Sequence, residues 1–303
     1  MTDHPPAGPV IEPRALAQWL SKDEAQSPIV VDVRWALGRG VDGNRDEYLA
    51  GHIPGAGFLD LETALAGHPR ADGVGGRHPL PEVAAATQAF RVVGVTGDRP
   101  VVFYDGDTSL AAARAWWVVQ FFGKPDAYVL NGGYAAWLSE GQPSSTGDVE
   151  VTPGDVALAP GGRTAVNADK VSAYLTPPTS TSPDPVLARR RVLIDARAAE
   201  RYRGEVEPMD PVAGHIPGAL NVATLGMLSD RGRFDPTAVL TALDALGIDD
   251  TTEVALYCGS GVQAAHLALS LEVAQPGRPT PAVYIGSWSD WVSDPTRPVA
   301  TGD

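Results

Sequence analysis

The chain has 303 residues, enough for two separate cores, and its 44% hydrophobic content is that of a globular protein. Twenty-three basic against 37 acidic residues leave a formal charge of −14, which repels phosphate backbones and anionic bilayers and argues against nucleic-acid or membrane partners. One cysteine excludes an internal disulfide and a thiolate metal cluster, and six scattered histidines show no ligand spacing, so neither a metal nor an organic cofactor is expected.

In chain order, the first twenty residues mix Pro, Asp, His and Glu without an apolar run, so no secretory signal is expected there. That reading and the cysteine usage together point to the cytoplasm. Short β-branched runs at 29–33, 101–104 and 128–130 predict buried parallel strands. A helix is predicted over 110–122; its apolar stretch is interrupted by Arg114 and is too short to cross a bilayer. The stretch 141–162 is rich in Gly, Pro, Ser and Thr without apolar periodicity and predicts a linker, and 176–185 predicts an exposed excursion. Further strands are expected at 193–197 and 254–257, with a second helix over 262–272.

An internal repeat organises these elements. Val30-Val31-Asp32-Val33-Arg34 matches Leu193-Ile194-Asp195-Ala196-Arg197. Gly51-His52-Ile53-Pro54-Gly55-Ala56 recurs letter for letter from Gly214 to Ala219, with the same spacing from Asp to His in both copies. Val101-Val102-Phe103-Tyr104-Asp105 matches Val254-Ala255-Leu256-Tyr257-Cys258, and Gly132-Gly133-Tyr134 matches Gly286-Ser287-Trp288. The chain is a duplication. Strand–helix alternation in each copy implies an α/β fold: two tandem domains, each a parallel sheet with helices on both faces and right-handed crossovers. The expected division is 1–145, a linker over 146–163, and 164–303. Ligands of such sheets bind beyond the C-terminal strand ends, where Cys258 falls.

The segment Tyr257-Cys258-Gly259-Ser260-Gly261-Val262-Gln263 puts the sole cysteine after a strand, with a Gly-rich loop and an Ala-rich helix behind it. Backbone amides of such a loop and the helix N-terminus converge on an anion at the cysteine, and they favour both a nucleophilic thiolate and a terminal persulfide. Isolated cysteines are commonly small buried hydrophobes; the position of this one within the repeat distinguishes it.

The two copies, the paired Gly-His-Ile-Pro-Gly-Ala motifs and Cys-Gly-Ser-Gly-Val resemble the tandem-rhodanese sulfurtransferases, and among them the 3-mercaptopyruvate branch, from about residue 11 to about residue 293. The resemblance implies two rhodanese-like domains of which the second is catalytic and the first has lost its cysteine; Asp105 stands in its place. It also implies that Cys258 carries sulfur as a persulfide, that Gly259, Gly261, Val262 and Gln263 bind substrate around it, and that Arg201 binds the substrate's anionic group. A second family arginine is missing from the run Glu207-Pro208-Met209-Asp210-Pro211. By position, Glu62, His78 and Ser260 match a carboxylate, a histidine and a serine that the family brings together across the domain interface for proton transfer. For His78 the alternative is a loop histidine without a catalytic part. His52 and His215 occur in both copies and are expected to be structural, as is Arg197, and His266 is expected to pack in its helix.

The implied donor is 3-mercaptopyruvate, favoured over thiosulfate because the loop Gly-Ser-Gly-Val is neutral, whereas relatives preferring the dianion tend to carry charge there. The implied acceptor is cyanide, thioredoxin or a small thiol. A cysteine phosphatase would need an arginine six residues after the cysteine, where Ala264 stands. A non-enzymatic binding module would not need to keep both Cys258 and Arg201.

Overall fold

Apolar runs of four or five residues, too short for helices and covered on both sides, form the buried strands of two parallel sheets. The computed structural model describes residues 8–175 and 190–303, so the excursion expected at 176–185 lies outside the described residues. The first sheet contains β1 (Val10–Ile11), β2 (Ile29–Asp32), β3 (Gly57–Phe58), β4 (Val101–Tyr104) and β5 (Ala127–Leu130), in the order β1-β5-β4-β2-β3. The second contains β6 (Ala165–Val166), β7 (Arg191–Asp195), β8 (Leu220–Asn221), β9 (Glu253–Tyr257) and β10 (Ala282–Tyr284), in the order β6-β10-β9-β7-β8. Every pairing is parallel, and the second order repeats the first strand for strand.

Side chains alternate across each strand and find helices on either face. In the first sheet Val30, Val102 and Tyr104 share a core with Leu16, on the helix Pro13–Leu20, and Trp137, on the helix Gly133–Ser139. Phe103 points to the opposite face, where its ring meets Phe90 of the helix Val83–Val92 edge-on at 5.9 Å. The second sheet builds the matching core from Leu193, Ala255 and Tyr257 with Val171 of the helix Ala168–Leu175 and with Trp288 and Trp291.

The repeated motifs hold equivalent places. Asp32 pairs in register with Tyr104, and Asp195 with Tyr257. Each tyrosine hydroxyl accepts the N–H of the isoleucine of the Gly-His-Ile-Pro-Gly-Ala motif, Ile53 or Ile216, at 3.1 Å in both copies. Each motif turns on its second glycine, Gly55 at φ +79° and Gly218 at φ +83°, a left-handed conformation that a side chain disfavours.

Contacts divide the chain into a first unit, Met1–Gly67, Leu80–Arg163 and Leu228–Phe234, and a second, His68–Pro79, Thr164–Met227 and Asp235–Asp303. Two segments therefore belong to the unit opposite to their place in the sequence. The stretch 146–163, expected as a linker, is instead fastened to the first unit: Gly154 N–H donates to the Arg91 carbonyl at 2.8 Å, Ala159 N–H to Phe122 at 2.9 Å, and Arg163 lies 3.9 Å over the Trp116 ring. Composition correctly indicates irregular backbone there, but irregular backbone still needs partners for its N–H groups, and it finds them on the first unit.

Candidate active site

β9 ends at Tyr257, and Cys258 follows it, only 1% exposed. The loop turns through Gly261, at φ +86°, into the helix Val262–Ala274, which is apolar on all sides and buried over Val262 and Ala264–Leu271. This turn brings the Gly261 N–H to the Cys258 sulfur at 3.1 Å. The first amides of an α-helix have no partner within it, so the entrance of this one is a place where anions are favoured. Cys258 is also gripped from the turn after β10. Its N–H donates to the Ser287 hydroxyl at 3.1 Å, that hydroxyl lies 3.9 Å from the sulfur, and the Cys258 and Gly259 carbonyls accept from Trp288 N–H at 2.9 Å and Ser289 N–H at 3.1 Å. Ser287 holds this place at φ +57°, where the first copy has Gly133 at φ +58°.

The first copy shows what the cradle does without a cysteine. Asp105 folds its carboxylate into the corresponding helix entrance and accepts the N–H groups of Ser109 at 2.8 Å, Ala111 at 2.9 Å and Ala112 at 3.3 Å. Burial still outweighs these three bonds, and its pKa is raised to about 6. The first cradle fills itself; in the second, the Gly261 amide meets a sulfur atom.

Arginines stand beside the cysteine loop. Arg201 donates through Nη2 to Glu207 at 2.6 Å and contacts Asp210 at 3.5 Å, while its Nε is buried and no described group accepts from it. Arg77, from the crossing segment His68–Pro79, pairs with the other oxygen of Asp210. A Cβ built on Gly259 would lie 3.1 Å from Arg77 Nη2 and 3.5 Å from Arg201 Nη1, so both guanidinium groups face the residue next to Cys258. Burial raises the Asp210 carboxyl above its ordinary value, against the pull of Arg77. Burial acts the same way on Glu207, but its bond from Arg201 and the Met209 N–H overcome it and hold that carboxyl low.

Of the residues expected at the site, Cys258, Gly259, Ser260, Gly261, Val262, Gln263, Arg201 and His78 all belong to the second unit. His78 Nδ1 and the Ser260 hydroxyl are 2.7 Å apart and both residues are buried; Gln263, at the first turn of the helix, is half-buried. Glu62 belongs to the first unit, where it accepts the Trp35 indole N–H at 2.9 Å. Arg197 clasps Asp195 at 2.6 Å and donates to the Gly214 carbonyl at 2.6 Å, as Arg34 does with Asp32 and Gly51 in the first copy, a structural clasp made twice. His215 stacks on Tyr202, as His52 does on Tyr48, and His266 meets the Thr224 hydroxyl at 2.7 Å inside its buried helix.

The sequence reading missed Arg77 and Ser287. Arg77 had one signal, its place next to His78. Ser287 had another, a serine where the repeat has glycine. No cluster of His, Cys, Asp or Glu able to hold a metal occurs among the described residues, and none of their helices is long and apolar enough to cross a membrane.

The Rhodanese-like domain model matches residues 12–140 and 183–294. A Pseudomonas aeruginosa protein named "Probable 3-mercaptopyruvate sulfurtransferase" is 43% identical over 281 residues, covering 91% of this chain and 93% of that one. A Mycobacterium tuberculosis protein that carries a thiosulfate sulfurtransferase name is 41% identical over 286 residues, covering 92% and 93%. The crystal structure of SseA from Escherichia coli, described as a 3-mercaptopyruvate sulfotransferase with the rhodanese fold, superposes with a TM-score of 0.76 at 29% identity, over 93% of this chain and 99% of that one.

Proposed function

The chain belongs to the rhodanese family and is a sulfurtransferase, and from that premise we propose that it moves sulfur from 3-mercaptopyruvate through a persulfide on Cys258. The observation that carries the reading is the contact of the Gly261 N–H with the Cys258 sulfur at 3.1 Å, at the mouth of a helix and behind a loop without charged side chains. An amide cradle of this kind stabilises the thiolate before transfer and the terminal persulfide after it.

In the first half-reaction the Cys258 thiolate attacks the thiol sulfur of the donor. A sulfur–sulfur bond forms from the thiolate lone pair, and the carbon–sulfur pair leaves on carbon as the enolate of pyruvate. The enolate carbon takes up a proton, which Ser260 delivers and His78 restores along their 2.7 Å contact. The sulfhydryl proton is lost to solvent, leaving Cys258 with an anionic persulfide. In the second half-reaction an acceptor attacks the outer sulfur and Cys258 leaves as thiolate; cyanide gives thiocyanate, and a thiol gives a new persulfide. Thioredoxin and small thiols are the acceptors assigned in the cell, and the cytoplasm is the compartment assigned.

Arg201 binds the donor carboxylate, whose planar geometry its fork of donors matches. Thiosulfate is the second reading, favoured by the name of the 41% identical relative. It uses the same thiolate, with sulfite as leaving group, but brings a second negative charge to a neutral loop. The test is kcat/KM for each donor with cyanide as acceptor. The reading expects a clear preference for 3-mercaptopyruvate and no turnover in Cys258→Ala. A preference for thiosulfate overturns the donor assignment, and turnover in Cys258→Ala overturns the persulfide.

A further inference from the structure

We infer that Asp290 is the positioning residue that keeps His78 against Ser260: its carboxylate docks the segment His68–Pro79 on the helix Ser287–Trp291, which also holds the cysteine loop. The inference rests on the proton relay assigned above.

Three observations support it. The first is that one helix seats both partners of the relay. Its Trp288 and Ser289 N–H groups donate to the Cys258 and Gly259 carbonyls, which sets the loop bearing Ser260. The same turn receives the segment bearing His78, where Gly75 N–H donates to the Asp290 carboxylate at 2.8 Å and Arg77 N–H to the Ser289 hydroxyl at 3.1 Å. The 2.7 Å contact of His78 with Ser260 thus joins two lengths of backbone seated on one helix. Of the two side chains that receive the segment, Asp290 is the charged acceptor, and bonds to a carboxylate are the stronger.

The second is that the carboxylate is itself held in place. Asp290 is only 6% exposed, and its other oxygen accepts the Tyr284 hydroxyl at the end of β10. Burial first, and then the carboxylate, push that hydroxyl far above its usual range, so it stays protonated and donating. The Asp290 N–H donates to the Gly286 carbonyl at 3.0 Å, and the Asp290 carbonyl accepts from Arg297 at 2.7 Å. Backbone and side chain are both fixed, and the remaining oxygen is aimed at Gly75.

The third is how closely the segment approaches. Gly76, at φ +77°, lies where a Cβ would stand 2.3 Å from the Gly286 oxygen and 2.7 Å from the Ser289 hydroxyl oxygen. Gly73, also at φ +77°, would place a Cβ 2.8 Å from the Ser293 Cβ. Glycines allow this approach but bring no side chain to pack, so the bonds to Asp290 and Ser289 carry the docking. His78 follows Gly75 by three residues, so a slip at Gly75 reaches the imidazole.

The test measures kcat of the full chain with 3-mercaptopyruvate and with thiosulfate, cyanide being the acceptor. Asp290→Ala is expected to lower kcat with 3-mercaptopyruvate on the order of 10- to 100-fold, the effect of misplacing a proton donor by about an ångström. It is expected to spare thiosulfate, whose leaving group needs no proton on carbon. Asp290→Asn keeps an acceptor for Gly75 and turns its amide to the Tyr284 oxygen, and is expected to recover most of the loss. Asp249→Asn removes the same charge from an exposed carboxylate bonded to Thr251 and is expected to change neither donor. Hydrogen exchange of the wild-type protein needs no variant, and the Gly75 amide is expected to be protected.

Equal losses with both donors in Asp290→Ala, or no loss, overturn the inference. So do an equal loss in Asp290→Asn, which assigns the effect to charge, and any such loss in Asp249→Asn. If Asp290→Ala does not fold, the Gly75 amide decides, and exchange as free as in an unfolded chain overturns the inference. In each case the relay stands where His78→Asn shows the donor-selective loss; a His78→Asn protein without it removes the relay and the inference together.

Discussion

Ser287 tests whether the second copy accepts backbone strain for the sake of its cysteine. A left-handed conformation costs a side chain about 1–2 kcal/mol, and the first copy avoids that cost with Gly133. Ser287→Gly relieves the strain but gives back about 0.5–1 kcal/mol in unfolded-chain entropy. Both Ser287→Gly and Ser287→Ala strip the Cys258 N–H of its 3.1 Å acceptor, at a further cost of about 1–3 kcal/mol for a buried donor left unpaired. The alanine variant keeps the strain, so it should be the less stable of the two by about 0.5–1 kcal/mol. Both should lose kcat/KM by a similar factor of about ten, the equivalent of ~1.4 kcal/mol, because they remove the same hydroxyl from the cysteine backbone and sulfur. Urea unfolding and steady-state kinetics measure the two effects separately. If Ser287→Ala is as stable as Ser287→Gly, or if either variant keeps full kcat/KM, the strain is not held for the site.

Two further outcomes follow from the same geometry. Asp105 has a folded pKa of about 6 against an ordinary 3.8, so between those values the unfolded chain has lost the proton that the folded chain keeps. Its contribution is therefore fully present below pH 3.8 and lost as pH rises through 6. The stability difference between wild type and Asp105→Asn should fall by about 3 kcal/mol across that window, and a difference that is flat or rises with pH contradicts the buried-carboxylate account. Ser260→Ala and His78→Asn should lower kcat with 3-mercaptopyruvate by about 10²–10⁴-fold but spare the thiosulfate step, whose leaving group needs no proton on carbon; equal losses with both donors would assign the pair a structural role.

Much of this molecule is legible in the sequence because its two copies check each other. The matched Asp-x-Arg, Gly-His-Ile-Pro-Gly-Ala and strand motifs give the repeat, and the strands 101–104 and 254–257 lie where their β-branched runs put them. Cys258 is legible for the same reason: a strand, a glycine loop and a helix are local features. Arg77 is not, because an irregular segment has no periodicity to show which unit it packs against, and its partner Asp210 is 133 residues away. The linker expected at 146–163 fails for a related reason, since Gly and Pro mark a break in regular structure and say nothing of where the backbone is fastened. The strain at Ser287 shows only as a serine in place of glycine, which has no meaning until φ is known.

The most direct test of the central claim is the intact mass of the protein after a single exposure to 3-mercaptopyruvate without acceptor. The account predicts a gain of one sulfur atom, located on the peptide containing Cys258, discharged by cyanide and absent in Cys258→Ala. Sulfur gained elsewhere, or pyruvate released in stoichiometric amount with Cys258 unmodified, would contradict it.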